Sequence, residues 1–428
     1  SSLIWPRPCR DARPQRGARA RQMAASAPPV VVVGGGIVGL TAAYYLTRRG
    51  LPVTLVEKCA IACHSSGKAG GFLTDGDSGW HRGSIAPLAK HSFALHEELA
   101  QQFGAERIGH RRVRCIGRGA GGAPSPAWLA PGFGHDMGDQ SGMAQVSPKK
   151  LMDALSEAVQ GSGCEVVIGK AVGVEMQGDS VSAVTLQDRS GQTSSLPCRA
   201  AIFGMGAWAS EMTKWFPDSA LPQDTVADRY TSVIWDETEV GSDATMVFIS
   251  DLHHVEIYPR ADECYANGCP TQAELPDDPL EIVPPPQTVE DVKAETFDAV
   301  ARLKDAKVLR TTACFLAGSD DGRPVVGLVP KVKNAVVACG GGCWGILNGP
   351  AMGQAAAALA LGEEPPISLA AFDPARFDHG SSAAGGVGVP PKLRALLAQH
   401  PELAQVVQQS PEALQQLLHL VQQEDRER

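Results

Sequence analysis

Apolar positions along this chain change period several times, and the first change comes early. Val30–Val33 is an unbroken β-branched run, the pattern of a strand buried on both faces. Gly34-Gly35-Gly36-Ile37-Val38-Gly39 follows, then a helical pattern to about Arg49, then a second apolar run at 53–56 that ends on Glu57. Farther on, residues 84–103 put Leu88, Phe93, Leu95, Leu99 and Phe103 near helical spacing. Ser147 and Pro148 stand where a helix through 158 takes its N-cap and first residue. Residues 164–168, 173–176, 182–186 and 200–203 read as strands returning to the domain of the first strands, and 245–249 with 255–258 as an antiparallel pair. A helix is expected over 287–303, with Val289, Val292, Phe297 and Val300 on its apolar side and Pro284-Pro285-Pro286 as a rigid lead-in. The Gly-, Pro- and Ala-rich stretch 117–142 reads as a long loop.

The spacing over 30–57 is that of a βαβ dinucleotide-binding unit. Gly34 permits the tight turn, Gly36 lets backbone approach a pyrophosphate, and Gly39 lets helix and strand pack closely. The helix start, at Ile37 and Val38, offers free N–H groups and a positive dipole end to phosphate. Glu57 is placed to accept from a ribose hydroxyl. The motif by itself does not separate FAD from NAD.

Residues 321–353, DGRPVVGLVPKVKNAVVACGGGCWGILNGPAMG, separate them. This stretch resembles the C-terminal signature of the D-amino-acid-oxidase-like FAD-dependent oxidoreductases, a superfamily that includes glycine and sarcosine oxidases. In that family an Asp-Gly-x-Pro-x-x-Gly segment precedes a strand, a glycine-rich loop and a helix aimed at the flavin. Here these are 321–327, a strand at 335–338, the loop 340–345 and a helix from about Pro350. Residues 64–73 (HSSGKAGGFL) are similar to the family's second flavin loop, and 201–210 (AIFGMGAWAS) to its third FAD-contacting strand and turn. The Gly-Lys-Ala-Gly-Gly-Phe and Cys-Trp-Gly-Ile-Leu-Asn-Gly-Pro runs are similar to those of a eukaryotic branch of oxidoreductases with poorly defined substrates. Gly341 departs from the pattern, because many relatives carry histidine there, and no role of that histidine carries over.

The resemblance implies FAD, expected to be non-covalent because Cys343 runs directly into the Trp-Gly turn, and a defined set of contacts. They are Gly34, Gly36, Ile37, Val38 and Gly39 with Glu57 and Lys58, then Ser65, Ser66, Gly67, Lys68, Ala69, Gly70 and Gly71. Val172, Gly204, Gly206, Trp208 and Arg323 follow, and Gly342, Cys343, Trp344, Gly345 and Ile346 complete the set. It also implies an α/β fold: a GxGxxG, Rossmann-like FAD domain in discontinuous segments (30–79, 146–215 and 309–378) and an antiparallel-sheet substrate domain (80–145 and 216–308).

With no nucleophile triad or carboxylate pair in view, the chemistry falls to the flavin, which takes hydride from a C–H bond next to nitrogen or oxygen. The expected reaction is oxidation of a small amine or amino acid at a C–N bond by hydride transfer to flavin N5, with oxygen as acceptor. Lys68 is the candidate cation near N5. Arg260 is the candidate clamp for a substrate carboxylate, because a guanidinium binds one in a fork. Tyr258 is placed on the opposite face of that strand, and Trp344 is a candidate roof over the substrate; Arg323, His254 and Cys343 stand as further candidates. The alternative is a flavoprotein with structural FAD that acts as a scaffold or in assembly and trafficking.

Composition leaves that picture intact. A net charge of −9 argues against nucleic acid and anionic membrane as partners, and the short basic runs at 111–114 and 331–333 read as solvated faces. No run of 18 apolar residues marks a membrane span. The eleven cysteines lack zinc-site spacing, so no metal is expected and the thiols are read as reduced.

Both ends stand apart. Residues 1–29 hold six arginines and one acid and read as a disordered extension. Met23 is the favoured start, consistent with a cytoplasmic protein, and an organellar transit peptide is the alternative. Residues 379–391 read as a linker, and 392–428 as a helical tail, three short amphipathic helices broken at Pro401 and Pro411 and a candidate site for a protein partner.

Overall fold

The four valines at 30–33 alternate between two cores. Val30 and Val32 pack with Leu40, Leu46 and Leu55 on one face, and Val31 and Val33 with Val184, Phe203 and Met212 on the other. Burial on both faces is why the run shows no polar alternation. The computed structural model describes residues 27–222, 226–241, 243–249, 253–319 and 321–378. The expectations for 1–26, for the linker and for the C-terminal helices lie outside the described residues.

Val30–Val33 is central in a six-stranded sheet ordered Val325–Leu328, Ala335–Cys339, Ala200–Phe203, Val30–Val33, Val53–Glu57, Glu165–Ile168. Only the Val325–Leu328 edge runs antiparallel. Helices Ile37–Arg48 and Gly345–Ala360 cover one face together. They approach closely because their contact is made of glycine: a Cβ on Gly353 would lie 2.1 Å from Thr41 Oγ1, and one on Gly349 would lie 2.5 Å from the Ile37 side chain.

The second helix starts at Gly345, five residues before the expected Pro350, which sits inside it. Proline has no N–H, so the Ile346 carbonyl loses its helical donor. The Ile85–Phe103 helix supplies the replacement, with His96 Nε2 donating to that carbonyl at 2.9 Å. Ser92 Oγ inserts one residue farther on, donating to the Leu347 carbonyl and accepting from the Ala351 N–H.

A seven-stranded sheet is ordered Val308–Ala317, Val226–Trp235, Cys264–Thr271, Glu256–Pro259, Thr245–Phe248, Arg114–Arg118, Phe133–Gly138. It is antiparallel except where Thr245–Phe248 runs beside Arg114–Arg118. Its outer face packs Val233, Trp235, Val247 and Ile257 against helix Pro286–Ala299. The inner face carries Ile234, Met246, Phe248, Tyr258 and Tyr265.

Several sequence expectations change here. The stretch 117–142 is not all loop, since Phe133–Gly138 is the edge strand of this sheet. Residues 309–317, expected in the FAD domain, belong to a strand paired with Val226–Trp235. Lys170–Gln177 and Ser180–Gln187, expected as strands, pair with Thr193–Pro197 in a three-stranded sheet of their own. Ser147 stands at the N-cap of Pro148–Gly161, but its side chain does not cap. Arg111 is half-buried rather than solvated, its Nη1 donating to the Gly241 carbonyl at 2.5 Å. No helix among the described residues is long and apolar enough to cross a membrane.

Candidate active site

A cavity runs from the glycine turn after Val33, at the carboxyl ends of the parallel strands, to the inner face of the seven-stranded sheet. Each glycine of the turn has its own reason. Gly34 has φ +107°, and a Cβ there would lie 2.3 Å from the Gly204 carbonyl oxygen. A Cβ on Gly39 would lie 1.8 Å from the Gly34 carbonyl oxygen, which makes Gly39 a packing residue rather than a cavity wall. Gly36 faces the cavity and meets only the Ser66 side chain. It also leaves helix Ile37–Arg48 without a side-chain cap, so the Ile37 N–H donates to Ser66 Oγ at 3.0 Å. Glu57 accepts from the Gly35 N–H at 2.7 Å and the Cys59 N–H at 3.0 Å, while burial raises its carboxyl pKa. Lys58 and Lys170 both reach Asp277, at 2.8 and 2.6 Å.

The loop around Ser65–Lys68 supplies the next stretch of wall. His64 Nε2 accepts from the Phe315 N–H at 3.3 Å, and Ser65 Oγ donates to the Phe315 carbonyl at 2.7 Å. Burial, reinforced by Lys68, lowers the His64 pKa to about 3, so the ring is a neutral strut. From the other side come Gly340, Gly341, Gly342, Cys343, Trp344, Gly345 and Ile346. A Cβ on Gly341 would lie 2.8 Å from Gly345 Cα, so any side chain there requires the loop to move.

Of the residues expected at the cofactor, Gly34, Gly36, Ile37, Val38, Glu57, Lys58, Ser65, Ser66, Ala69, Gly70, Gly71, Gly204, Gly206, Trp208, Gly342, Cys343, Trp344, Gly345 and Ile346 line the cavity. Gly67 does not: it is pressed against the Ala62 carbonyl, where a Cβ would come within 2.1 Å. Gly169, Lys170 and Ala171 line the wall where Val172 was expected. Arg323 turns to Asp321, donating from Nε at 3.0 Å and Nη2 at 2.7 Å.

Two candidate catalytic residues lie outside the lining, and a third changes face. Lys68 is outside the lining, its ammonium donating to the Ala313 carbonyl at 2.9 Å. Arg260 is buried, also outside the lining, and holds the carbonyls of Ala69 and Gly70 while pairing with Glu263. Tyr258 lines the cavity on the same side as Arg260, not the opposite one: both touch Gly70, as a two-residue spacing on a strand dictates. Its hydroxyl donates to Glu256. Trp344 lines the cavity within an aromatic wall, 5.7 Å from Phe72, 5.9 Å from Trp80 and 4.4 Å from His81 between ring centroids.

Tyr230, Glu256, Asn267, Trp80 and Phe248 also line the cavity and were not singled out from sequence. Two-residue alternation carries a signal for four of them. Tyr230 and Ser232, Glu256 and Tyr258, Tyr265 and Asn267 alternate along adjacent strands, Phe248 follows Met246 at the same spacing, and Glu256 sits opposite Asn267 in register. Trp80 lies in a loop, where no periodicity exists to be read. Burial raises the Glu256 pKa, against hydrogen bonds from Tyr258 and Asn267 that lower it.

His253, Cys269 and Asp291 bring potential metal-ligand atoms within 4.8 Å of one another, outside the cavity lining. Cysteine spacing could not show this grouping, because a turn, a strand and a helix assemble it. The described cysteines are all free.

The family described as FAD dependent oxidoreductase matches residues 29–117 and 123–359. An oxidoreductase of Schizosaccharomyces pombe is 26% identical over 372 residues, which cover 76% of this chain and 92% of the relative. Among solved structures, glycine oxidase from Geobacillus kaustophilus superposes with a TM-score of 0.67 at 21% identity, covering 83% of this chain and 99% of that one. Iminodiacetate oxidase from Chelativorans sp. BNC1 gives 0.66 at 18% identity, covering 81% and 98%. The uncapped helix start, the side-chain-free face of Gly36 and the acid at Glu57 fit the pyrophosphate and ribose of FAD. With that fit and the match along most of its length, the chain belongs to the FAD-dependent oxidoreductase family and is an FAD-binding enzyme.

Proposed function

We propose that this enzyme oxidises a C–N bond of a small amine or amino acid and uses oxygen as the final acceptor. Bound FAD supplies a two-electron acceptor: the carbon loses hydride, the nitrogen loses a proton, the product is an imine, and oxygen becomes hydrogen peroxide. The observation that carries the reading is the continuity of one cavity. It joins the dinucleotide turn at Gly34–Gly36 to a polar and aromatic wall formed by Tyr230, Glu256, Tyr258, Asn267 and Trp344.

The chain's own residues divide the work. Gly36, the N–H groups at the start of Ile37–Arg48, Ser66 and Glu57 would hold the pyrophosphate and ribose. Helix Gly345–Ala360 begins at the cavity without a side-chain cap, so its positive end would favour negative charge on a flavin bound there. Phe72, Trp80, Phe248 and Trp344 exclude water from the reacting carbon. Glu256 can accept a proton from the substrate nitrogen.

Anaerobic mixing of the yellow protein with a panel of amines and amino acids tests this reading. Loss of flavin absorbance with at least one of them is expected. Bleaching by hydroxy acids alone would overturn it.

A further inference from the structure

We infer that the substrate is a small cationic amine without a carboxylate, its ammonium group held by Glu256 and Asn267 within the aromatic wall. This rests on the reading above, that the sheet-facing part of the cavity receives the substrate. It departs from the expectation, stated from sequence, of an arginine clamp on an amino-acid carboxylate.

The first ground is the distribution of charge. Among the described residues that line the cavity there is no arginine, and the two lysines, Lys58 and Lys170, are both bound to Asp277. The nearby guanidinium of Arg260 is committed to Glu263, Ala69 and Gly70 and stacks over Tyr265 with 4.7 Å between guanidinium carbon and ring centroid. A substrate carboxylate would therefore meet Glu256 with no cation to offset it.

The second ground is the surplus of acceptors. Glu256 takes the Tyr258 hydroxyl on Oε2 and a further hydrogen bond from the Asn267 side chain, and a carboxylate, with about four lone-pair sites, can still accept from an ammonium. Asn267 stands opposite Glu256 on the adjacent strand, and its Oδ1 is buried with no partner. A buried acceptor without a donor is costly, and an ammonium brings up to three N–H donors. The rings of Phe72, Trp80, Phe248 and Tyr258 form a contiguous wall, with successive centroids 5.2, 5.3 and 6.1 Å apart. Aromatic faces attract a cation and repel a carboxylate. Charge, hydrogen-bond polarity and ring electrostatics thus favour the same ligand.

The test uses two probes of one size and opposite charge, propylammonium and propanoate, on the FAD-loaded full chain without oxygen. Binding is read from perturbation of the flavin spectrum and from quenching of tryptophan fluorescence, since Trp80 and Trp344 line the cavity. Propylammonium should bind saturably and propanoate should not. Glu256→Gln should weaken propylammonium binding at least tenfold while the protein stays yellow, and Glu256→Asp should recover part of it. Tighter binding of propanoate, or unchanged propylammonium binding in Glu256→Gln, would overturn the inference. The two readings fail separately. Alanine that bleaches the flavin while propylammonium neither binds nor bleaches keeps C–N oxidation and removes the amine assignment. Propylammonium that binds through Glu256 while no amine or amino acid bleaches the flavin keeps the recognition site and removes C–N oxidation.

Discussion

Arg260 donates from Nη2 to the carbonyl oxygen of Gly70 at 2.8 Å, and so a residue 190 positions away in sequence straps the cavity-lining loop at 69–71 to the antiparallel sheet. The same nitrogen reaches the Ala69 carbonyl at 3.1 Å, and Nη1 pairs with Glu263. Every strong contact of this guanidinium is internal, which is why it acts as a positioning residue.

Arg260→Met should therefore loosen the loop and leave Glu263 with Arg310 alone. Losing one member of a buried ion pair costs about 3 kcal/mol. Urea denaturation should show a loss of that size, and FAD should dissociate at least tenfold more readily. A change in substrate KM alone, with stability and FAD affinity intact, would restore the clamp.

Lys68→Met should leave flavin reoxidation by oxygen within about threefold of the parent, because a preorganised charge acts strongly only where charge develops. Its ammonium is held by the Ala313 carbonyl instead, and burial lowers its pKa. Stopped-flow reoxidation decides the point. A slowing of about a hundredfold, equivalent to about 2.7 kcal/mol, would return Lys68 to the flavin.

The two outer glycines of the GxGxxG turn should fail differently from its middle one. Gly36→Glu places a carboxylate where phosphate binds but meets only the movable Ser66 side chain, so the variant should fold and be colourless. Gly39→Val drives a side chain into the Gly34 carbonyl and should fail to fold. Circular dichroism with absorbance at 450 nm, roughly the flavin band, separates loss of cofactor from loss of fold.

FAD should be released by acid precipitation, with the colour in the supernatant. Cys343 is exposed to the cavity, but enclosure by the cavity walls, helped by the Glu256 carboxylate, pushes its thiol up to about 11, and a thiol at neutral pH is a poor nucleophile. Cys339 is raised further, to about 12, by burial. Colour retained in the pellet would show a covalent bond.

Stability should fall on acidification. Burial lowers His64 to about 3 and His96 to about 4. Both lie below the unfolded value of about 6.5, so the unfolded chain binds protons that the folded chain does not. Their stabilising contribution is whole above that pH and is lost as pH falls towards 4, at most about 1.4 kcal/mol per unit for each. Thermal midpoints between pH 7 and 4.5 should drop less steeply in His96→Gln, whose amide can still donate to the Ile346 carbonyl.

Sequence alone determined the dinucleotide unit of this protein, because its logic is local. Four valines, three glycines at set offsets and an acid at the end of the next strand each state a backbone requirement within 28 residues. The runs around 64–71 and at 340–345 were legible for the same reason, as contiguous stretches that supply walls of one cavity. The sheet-facing wall of the cavity was decided only by tertiary structure. Glu256 and Asn267 meet through strand register, and each alone is one polar residue in an alternating strand. Arg260 and Lys68 were misread because charge and position in sequence were visible while their partners, Gly70 and Ala313, are 190 and 245 residues distant. A side chain's role follows from what faces it, and here that is set by sheet packing and register, which local periodicity does not encode.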